Sequence, residues 1–422
     1  MPELVQANLR QGNIRGVKEA RVFRFDAIPY GQPPVGEMRF RPPEPAQWRG
    51  SLDATTRGPI PPQLPSRLRQ AMGDFHATQS EDCLHLSVWT PGLDSKRRPV
   101  VVWLHGGAWQ SGGGALDWYS GEALSQLGDI VVVTPNYRLA ALGWLSVSGE
   151  VANVGLLDME LALQWVRSNI DSFGGDPEKI TVMGQSAGAL SIACLLTRQA
   201  CFDRAIIQSA PFGRGVRSAE AADEVSMLYL HAAGVQSVDE ARVLPLEILL
   251  KAQTAPELVD WLKAEGAHRS LFCPVADGVV LPKEIDVAFQ QASGRADVMV
   301  GSTRDEMSAF FASGFNQDTH ALGDLIYGDS SRRWAADTIS HGRKAWAYRF
   351  NHRPNEQFGA CHCIEIPFVF GTTNAFLDAP MLKGIKQKDT ERLTEDIQQA
   401  WMSFIRDGDP GWLAWPHEYV FE

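Results

Sequence analysis

The run Ile180-Thr181-Val182-Met183-Gly184-Gln185-Ser186-Ala187-Gly188 does most to restrict how this chain can fold. Its first four residues are β-branched or apolar and predict a short buried strand. From Ala187 to Leu196 the residues are small and apolar, and they predict a buried helix. A strand passing into a helix through Gly-x-Ser-x-Gly must turn sharply. The two glycines permit that turn and a close strand–helix approach, and the turn lifts the Ser186 hydroxyl above the sheet edge. A Gly-x-Ser-x-Gly without those flanking elements carries little weight; with them, Ser186 is a candidate nucleophile.

The rest of the chain supplies a sheet for that strand. Pro99–Leu104 and Ile130–Val133 are continuously apolar, as strands covered on both faces of a parallel sheet should be. Arg21–Phe25 alternates, and Leu84, Leu86 and Val88 share one face at period two. Phe202–Gln208, Val298–Gly301 and the alternating Trp346, Tyr348 and Phe350 predict further strands. Leu157, Leu161, Ala162, Trp165 and Val166 recur at helical spacing up to about Ile170, and Phe173–Pro177 ends that helix. A last long helix carries Leu393, Ile397, Trp401 and Ile405, and Gly408-Asp409-Pro410 stops it.

Strands alternating with helices predict an α/β architecture: a mostly parallel central sheet flanked by helices. No repeat, low-complexity tract or linker divides the 422 residues, so one domain spanning 1–422 is expected. Residues 218–265 are helical in pattern with no covered strand between them. We read 213–270 as a helical cap inserted over the site, because sites in such sheets lie at strand C-terminal ends and are roofed by insertions.

Charge and cysteine content exclude several classes. With 39 basic and 50 acidic side chains the formal charge is -11, and no Lys/Arg block is present, which argues against nucleic acid or an anionic membrane as partner. Met1–Arg10 has no apolar h-region and no run is long enough to span a bilayer, so a cytoplasmic protein is expected. Cys83, Cys194, Cys201, Cys273, Cys361 and Cys363 form no dense framework and are expected to be mostly reduced. Cys361-His362-Cys363 could suggest a metal, but adjacent residues rarely point at one ion and no second cluster with zinc spacing follows. No metal and no cofactor are expected.

Taken together, the motifs resemble the type-B carboxylesterase family. The matching segments are Ile28–Phe40, Ser80–Pro91, His105-Gly106-Gly107, Tyr137-Arg138, Asn153–Asp158, Phe173–Pro177, Gly184–Gly188, Gln208-Ser209, Asp305-Glu306 and Gly408-Asp409-Pro410. The resemblance implies the α/β-hydrolase fold and hydrolysis of carboxylic esters.

In that fold the triad runs serine, acid, histidine along the chain. After the Val298–Gly301 strand come two acids, Asp305 and Glu306, and four histidines, His320, His341, His352 and His362. Family register points to Glu306. It also points to His362, in Gly359-Ala360-Cys361-His362-Cys363-Ile364-Glu365 and the apolar run ending at Gly371. The implied chemistry is a two-step acyl transfer through Ser186, with His362 as base and then acid and Glu306 holding its tautomer. The resemblance also implies oxyanion donors at Ala187, Gly107 and Ala108, with Gly106 close by. It suggests Ser209 as a partner of the triad acid, and an Arg39–Glu81 ion pair. Trp109, Phe212 and Gln185 are expected at the substrate pocket.

The chain departs from the family at three places. Gln185 stands where a glutamate is usual, which predicts weaker attraction for cationic substrates. The 311–345 stretch is short, which predicts a more open site. No cysteine precedes Cys83, so the disulfide that animal members form there cannot exist. The function expected is a serine carboxylesterase acting on a small-molecule ester, neutral with a short acyl or aryl group, as a monomer or homodimer. Hydrolysis of amides or carbamates by the same triad is the alternative. A non-catalytic binding role is disfavoured, because such members lose triad residues.

Overall fold

The computed structural model describes residues 3–198, 201–266, 269–311, 314, 316–376 and 378–422. Its strands are β1 (Glu3–Leu9), β2 (Gly12–Glu19), β3 (Val22–Pro29), β4 (Ser51–Asp53), β5 (His85–Thr90), β6 (Arg98–Leu104), β7 (Val131–Pro135), β8 (Gly175–Gln185), β9 (Arg204–Gln208), β10 (Arg217–Ser218), β11 (Val275–Ala276), β12 (Asp297–Thr303), β13 (Ala345–Phe350) and β14 (Glu418–Phe421). One 12-stranded sheet runs β1-β2-β3-β5-β7-β6-β8-β9-β12-β13-β14, with β4 beside β2. From β7 to β14 every neighbour is parallel, whereas β1-β2-β3-β5-β7 are joined antiparallel and β4 lies parallel to β2.

The apolar runs are explained by a core on each face. Along β6, Val100, Val102 and Leu104 enter one cluster and Val101 and Trp103 the other; β8 splits Ile180 and Val182 from Met183 in the same way. The first face is covered by the helices Val154–Asn169 and Ala187–Thr197. The second is covered by Gln387–Asp407, whose Leu393, Ile397, Trp401 and Ile405 are buried as the periodicity predicts. Among the described residues of 213–270 are four α-helices, Ala219–Ala232, Val238–Arg242, Leu246–Ala252 and Pro256–Glu265. The segment is tied back by Arg39, which donates to the carbonyls of Arg242 and Leu244 at 2.7 Å each while gripping Glu81 through two bonds of 2.6 Å.

Tyr137-Arg138 and Asn153–Asp158 meet inside the protein. The Arg138 guanidinium holds Asp158 in a fork, Nη2 to Oδ1 at 2.7 Å and Nε to Oδ2 at 2.9 Å, and the Arg138 amide adds a third bond at 2.9 Å. All six cysteines are free. Among the described residues no helix is long and apolar enough to cross a membrane.

Candidate active site

Four parallel strands deliver the site from their C-terminal ends. β8 ends in Ser186, β6 in the His105-Gly106-Gly107 turn, β12 in Asp305-Glu306, and β13 leads into the loop that carries His362.

Ser186 has φ 54° and ψ -120°, a strained conformation for a side-chain-bearing residue, and its amide is pinned to the Gln208 carbonyl at 2.8 Å. The strain persists because helix and strand cross so tightly: a Cβ on Gly188 would lie 2.0 Å from the Leu104 carbonyl oxygen. The turn leaves Ser186 Oγ 2.8 Å from His362 Nε2. On the far side of the ring, Nδ1 meets Glu306 Oε2 in a very short contact. A carboxylate at Nδ1 keeps the proton there, so Nε2 accepts from the serine hydroxyl. Glu306 Oε1 is itself held by the Thr303 amide at 2.8 Å. The structure therefore brings Ser186, Glu306 and His362 together across 176 and 56 residues of chain.

Asp305, the rival acid, points elsewhere. Its Oδ2 accepts from the Ala360 amide at 2.9 Å and meets Arg353 Nε at 3.2 Å, while its own amide donates to the Ala360 carbonyl at 2.8 Å. It clamps the histidine loop, and Glu306 is left to face the imidazole.

The second wall is the β6 turn. Gly107 has φ +108°, and a Cβ there would lie 1.9 Å from the Ser111 carbonyl oxygen, so no other residue fits. His105 is buried and stacks on Tyr137 with centroids 4.2 Å apart; burial draws its pKa down to about 4, and its neutral Nδ1–H donates to the Gly106 carbonyl at 2.7 Å. That bond turns the carbonyl away and leaves amides facing the elbow. Among the described residues, no acceptor takes the Gly107 or Ala108 amide. Ala187 opens the elbow helix, where a first amide has no partner within its helix.

Gly107, Ala108, Trp109, Ser186 and Ala187 line a cleft of about 620 Å³ including its mouth, with Leu68, Pro211 and Phe310 as apolar walls. Gln253 and Ser270 reach it from the 213–270 segment. Trp109 Nε1 is fixed by the Ser191 hydroxyl at 3.0 Å.

Four expectations need correction. Phe212 does not line the cleft. It opens a short turn, Phe212–Arg214, that stacks its ring on Trp334 at 4.8 Å and against Phe289 at 6.2 Å. Gln185 does not line it either: the residue is fully buried and its Nε2 donates to His362 Nε2 at 3.2 Å from behind the triad. Ser209 makes no bond to Glu306; its backbone, at φ 50°, is tied to Gly301, its hydroxyl has no hydrogen-bond partner, and the free carboxylate oxygen it would have served is taken by Thr303. Gly106, too, stands outside the cleft, in contact with Gln185.

Sequence reasoning missed Phe310 and Tyr327, whose rings flank the imidazole with centroids at 5.2 and 4.9 Å. Tyr327 sits on a π-helical turn, Asp324–Gly328, which has no sequence signature. It also missed Arg67 and Arg214 at the cleft, on loops far apart in the chain.

Among the described residues, no three His, Cys, Asp or Glu side chains converge as a metal site would require. Both ring nitrogens of His362 are engaged by Glu306 and by Ser186 and Gln185.

Comparison with known proteins agrees with this architecture. A sequence profile described as the carboxylesterase family matches residues 3–323 and 316–417. The chain is 35% identical to the para-nitrobenzyl esterase of Bacillus subtilis (strain 168), over 97% of this chain and 92% of that protein. It is 37% identical to a probable N-octanoylanthranilate hydrolase of Rhodococcus erythropolis, over 95% of this chain and 93% of that protein. A solved PNB esterase structure superposes with a TM-score of 0.88 at 32% identity, covering 99% of this chain and 95% of that one.

Proposed function

Because this chain belongs to the carboxylesterase family, with the α/β-hydrolase fold, and is a carboxylic ester hydrolase, we propose that Ser186, Glu306 and His362 are its catalytic triad and that neutral esters with short acyl or aryl groups are substrates. The observation that carries the assignment is the chain of contacts from Ser186 Oγ through both nitrogens of His362 to Glu306.

His362 takes the serine proton as Oγ attacks the ester carbonyl, then gives it to the leaving alcohol. Water activated by the same nitrogen releases the acid. Glu306 keeps the proton on Nδ1 and stabilises the imidazolium as it forms. The amides of Gly107, Ala108 and Ala187 receive the oxyanion; one such donor is worth about 3 kcal/mol of transition-state stabilisation. The 213–270 segment acts as a cap, since Gln253 and Ser270 reach the cleft from it. A cytoplasmic location remains part of this proposal: the chain is acidic, and among the described residues no helix is long and apolar enough to cross a membrane.

A second reading, hydrolysis of amides by the same groups, is favoured by the relative named an N-octanoylanthranilate hydrolase. Turnover of 4-nitrophenyl butyrate against the matched 4-nitroanilide separates the two. The ester should exceed the anilide in kcat/KM by about a hundredfold or more, since an amine is the poorer leaving group and must be protonated as it departs. An anilide as good as the ester would replace the esterase reading with the amidase one.

A further inference from the structure

The chain carries a net charge of -11, yet the lining of the cleft holds two arginines, Arg67 and Arg214, and no Asp or Glu among the described residues. Arg214 is held in place by soft contacts alone. Its guanidinium lies over the rings of Phe310 at 5.5 Å and Tyr327 at 5.4 Å, with Nη2 3.7 Å from the Met307 sulfur. It pairs with no carboxylate among the described residues, and its buried Nε has no hydrogen-bond partner. Arg67 approaches from the 64–68 loop, its Nη1 donating to the Arg269 carbonyl at 2.8 Å. Two cations, Arg67 exposed and Arg214 half-buried, thus line the cleft that holds the serine, and Leu64, Pro65, Leu68 and Pro211 form the apolar part of its wall.

Two like charges lining one cleft disfavour each other, and an anion placed between them relieves that repulsion. A guanidinium fork is the donor set that matches a carboxylate, and desolvated apolar surroundings strengthen the pair. We infer that the cleft binds esters bearing a second, ionised carboxylate: half-esters of dicarboxylic acids, or esters of carboxylated phenols. Arg214 and Arg67 receive the carboxylate, the apolar wall receives the spacer, and the ester carbonyl lies at Ser186. Neutral esters remain substrates, and the acid group adds binding. This rests on the esterase reading above, and the test therefore includes neutral partners.

Two matched pairs are compared at about pH 7.5, in about 20 mM and about 500 mM KCl, which shortens the screening length several-fold. Monoethyl glutarate against ethyl pentanoate places the charge on the acyl side. 4-Acetoxybenzoate against 4-acetoxybenzamide places it on the leaving group. In the unmodified enzyme at least one charged ester should exceed its neutral partner in kcat/KM by about tenfold at low salt, with the advantage shrinking at high salt; the responsive pair identifies the side. Arg214→Gln and Arg67→Gln should each lower that charged-to-neutral ratio by about tenfold, and Arg214→Lys should restore part of it. The proposal is overturned if neither charged ester outperforms its partner in the unmodified enzyme, or if the ratio ignores both substitutions. Absence of turnover of the neutral esters by the unmodified enzyme would instead overturn the esterase reading.

Discussion

His362 is fastened to Glu306 twice, through its backbone amide, which donates to the Glu306 carbonyl at 3.3 Å, and through Nδ1, which meets Glu306 Oε2. The backbone bond holds the loop while the side-chain bond holds the ring. Orientation and tautomer are therefore set by one residue, and the histidine loop needs no help from substrate to reach the serine.

Glu306→Gln should keep the backbone bond and lose the tautomer control. An amide can donate to Nδ1 and move the proton to Nε2, where it blocks proton removal from Ser186. We expect kcat for 4-nitrophenyl butyrate to fall by about 10⁴-fold, with KM changed far less. A loss under tenfold would show that Glu306 is not the orienting acid.

Gln185→Glu adds a negative charge behind the imidazole, where Nε2 of Gln185 now stands 3.2 Å from His362. The unmodified enzyme should not favour butyrylcholine over its uncharged analogue 3,3-dimethylbutyl butyrate. The variant should raise the cationic-to-neutral ratio of kcat/KM by about tenfold, the scale of one partly screened charge at this range. An unchanged ratio would mean that residue 185 has no electrostatic part in specificity.

Glu365 makes stability depend on pH. Burial, and then the charge of Glu306, push its carboxyl from an ordinary 4.5 up to about 8. Gln208 Nε2 donates to its Oε1 at 3.1 Å, and Oε2 has no hydrogen-bond partner, so the neutral acid is the form that suits the site. The folded chain holds this proton more tightly than the unfolded one. Its contribution is therefore complete below about pH 4.5 and is lost as pH rises through about 8. Glu365→Gln removes that titration. The Tm of the variant minus that of the unmodified protein should become more positive between about pH 5.5 and about pH 8.5. His105 titrates with the opposite sign but is present in both proteins and cancels. Parallel Tm curves would contradict this account.

The Arg138–Asp158 fork is buried, with side-chain exposures of 3% and 0%. Asp158→Asn leaves a guanidinium without its counter-charge and should cost about 3–5 kcal/mol, read from urea unfolding. A loss below about 1 kcal/mol would place the pair among interactions that fix geometry without adding stability.

The elbow was legible because Ile180–Met183 is a β-branched apolar run and the residues after Ser186 are small and apolar, and the two appear as β8 and the helix Ala187–Thr197. Glu306 and His362 were legible only by family register. Composition and spacing left two acids and four histidines open, and the choice is made by Asp305 turning to clamp Ala360. Ser209 and Phe212 were misjudged for one reason. Where a strand leaves the sheet, local φ decides which way a side chain faces, and the positive φ at Ser209 and the turn beginning at Phe212 have no periodicity to read. Arg67 and Arg214 meet only through tertiary packing.

The central claim is that Ser186 is the group acylated. Stoichiometric inactivation with diethyl 4-nitrophenyl phosphate, followed by peptide mass spectrometry, tests it without choosing a substrate. The account predicts one diethylphosphoryl group on Ser186, loss of ester hydrolysis in proportion to labelling, and no label when His362 is replaced by alanine. Inactivation that leaves Ser186 unlabelled, with the phosphoryl group on another residue, would contradict it.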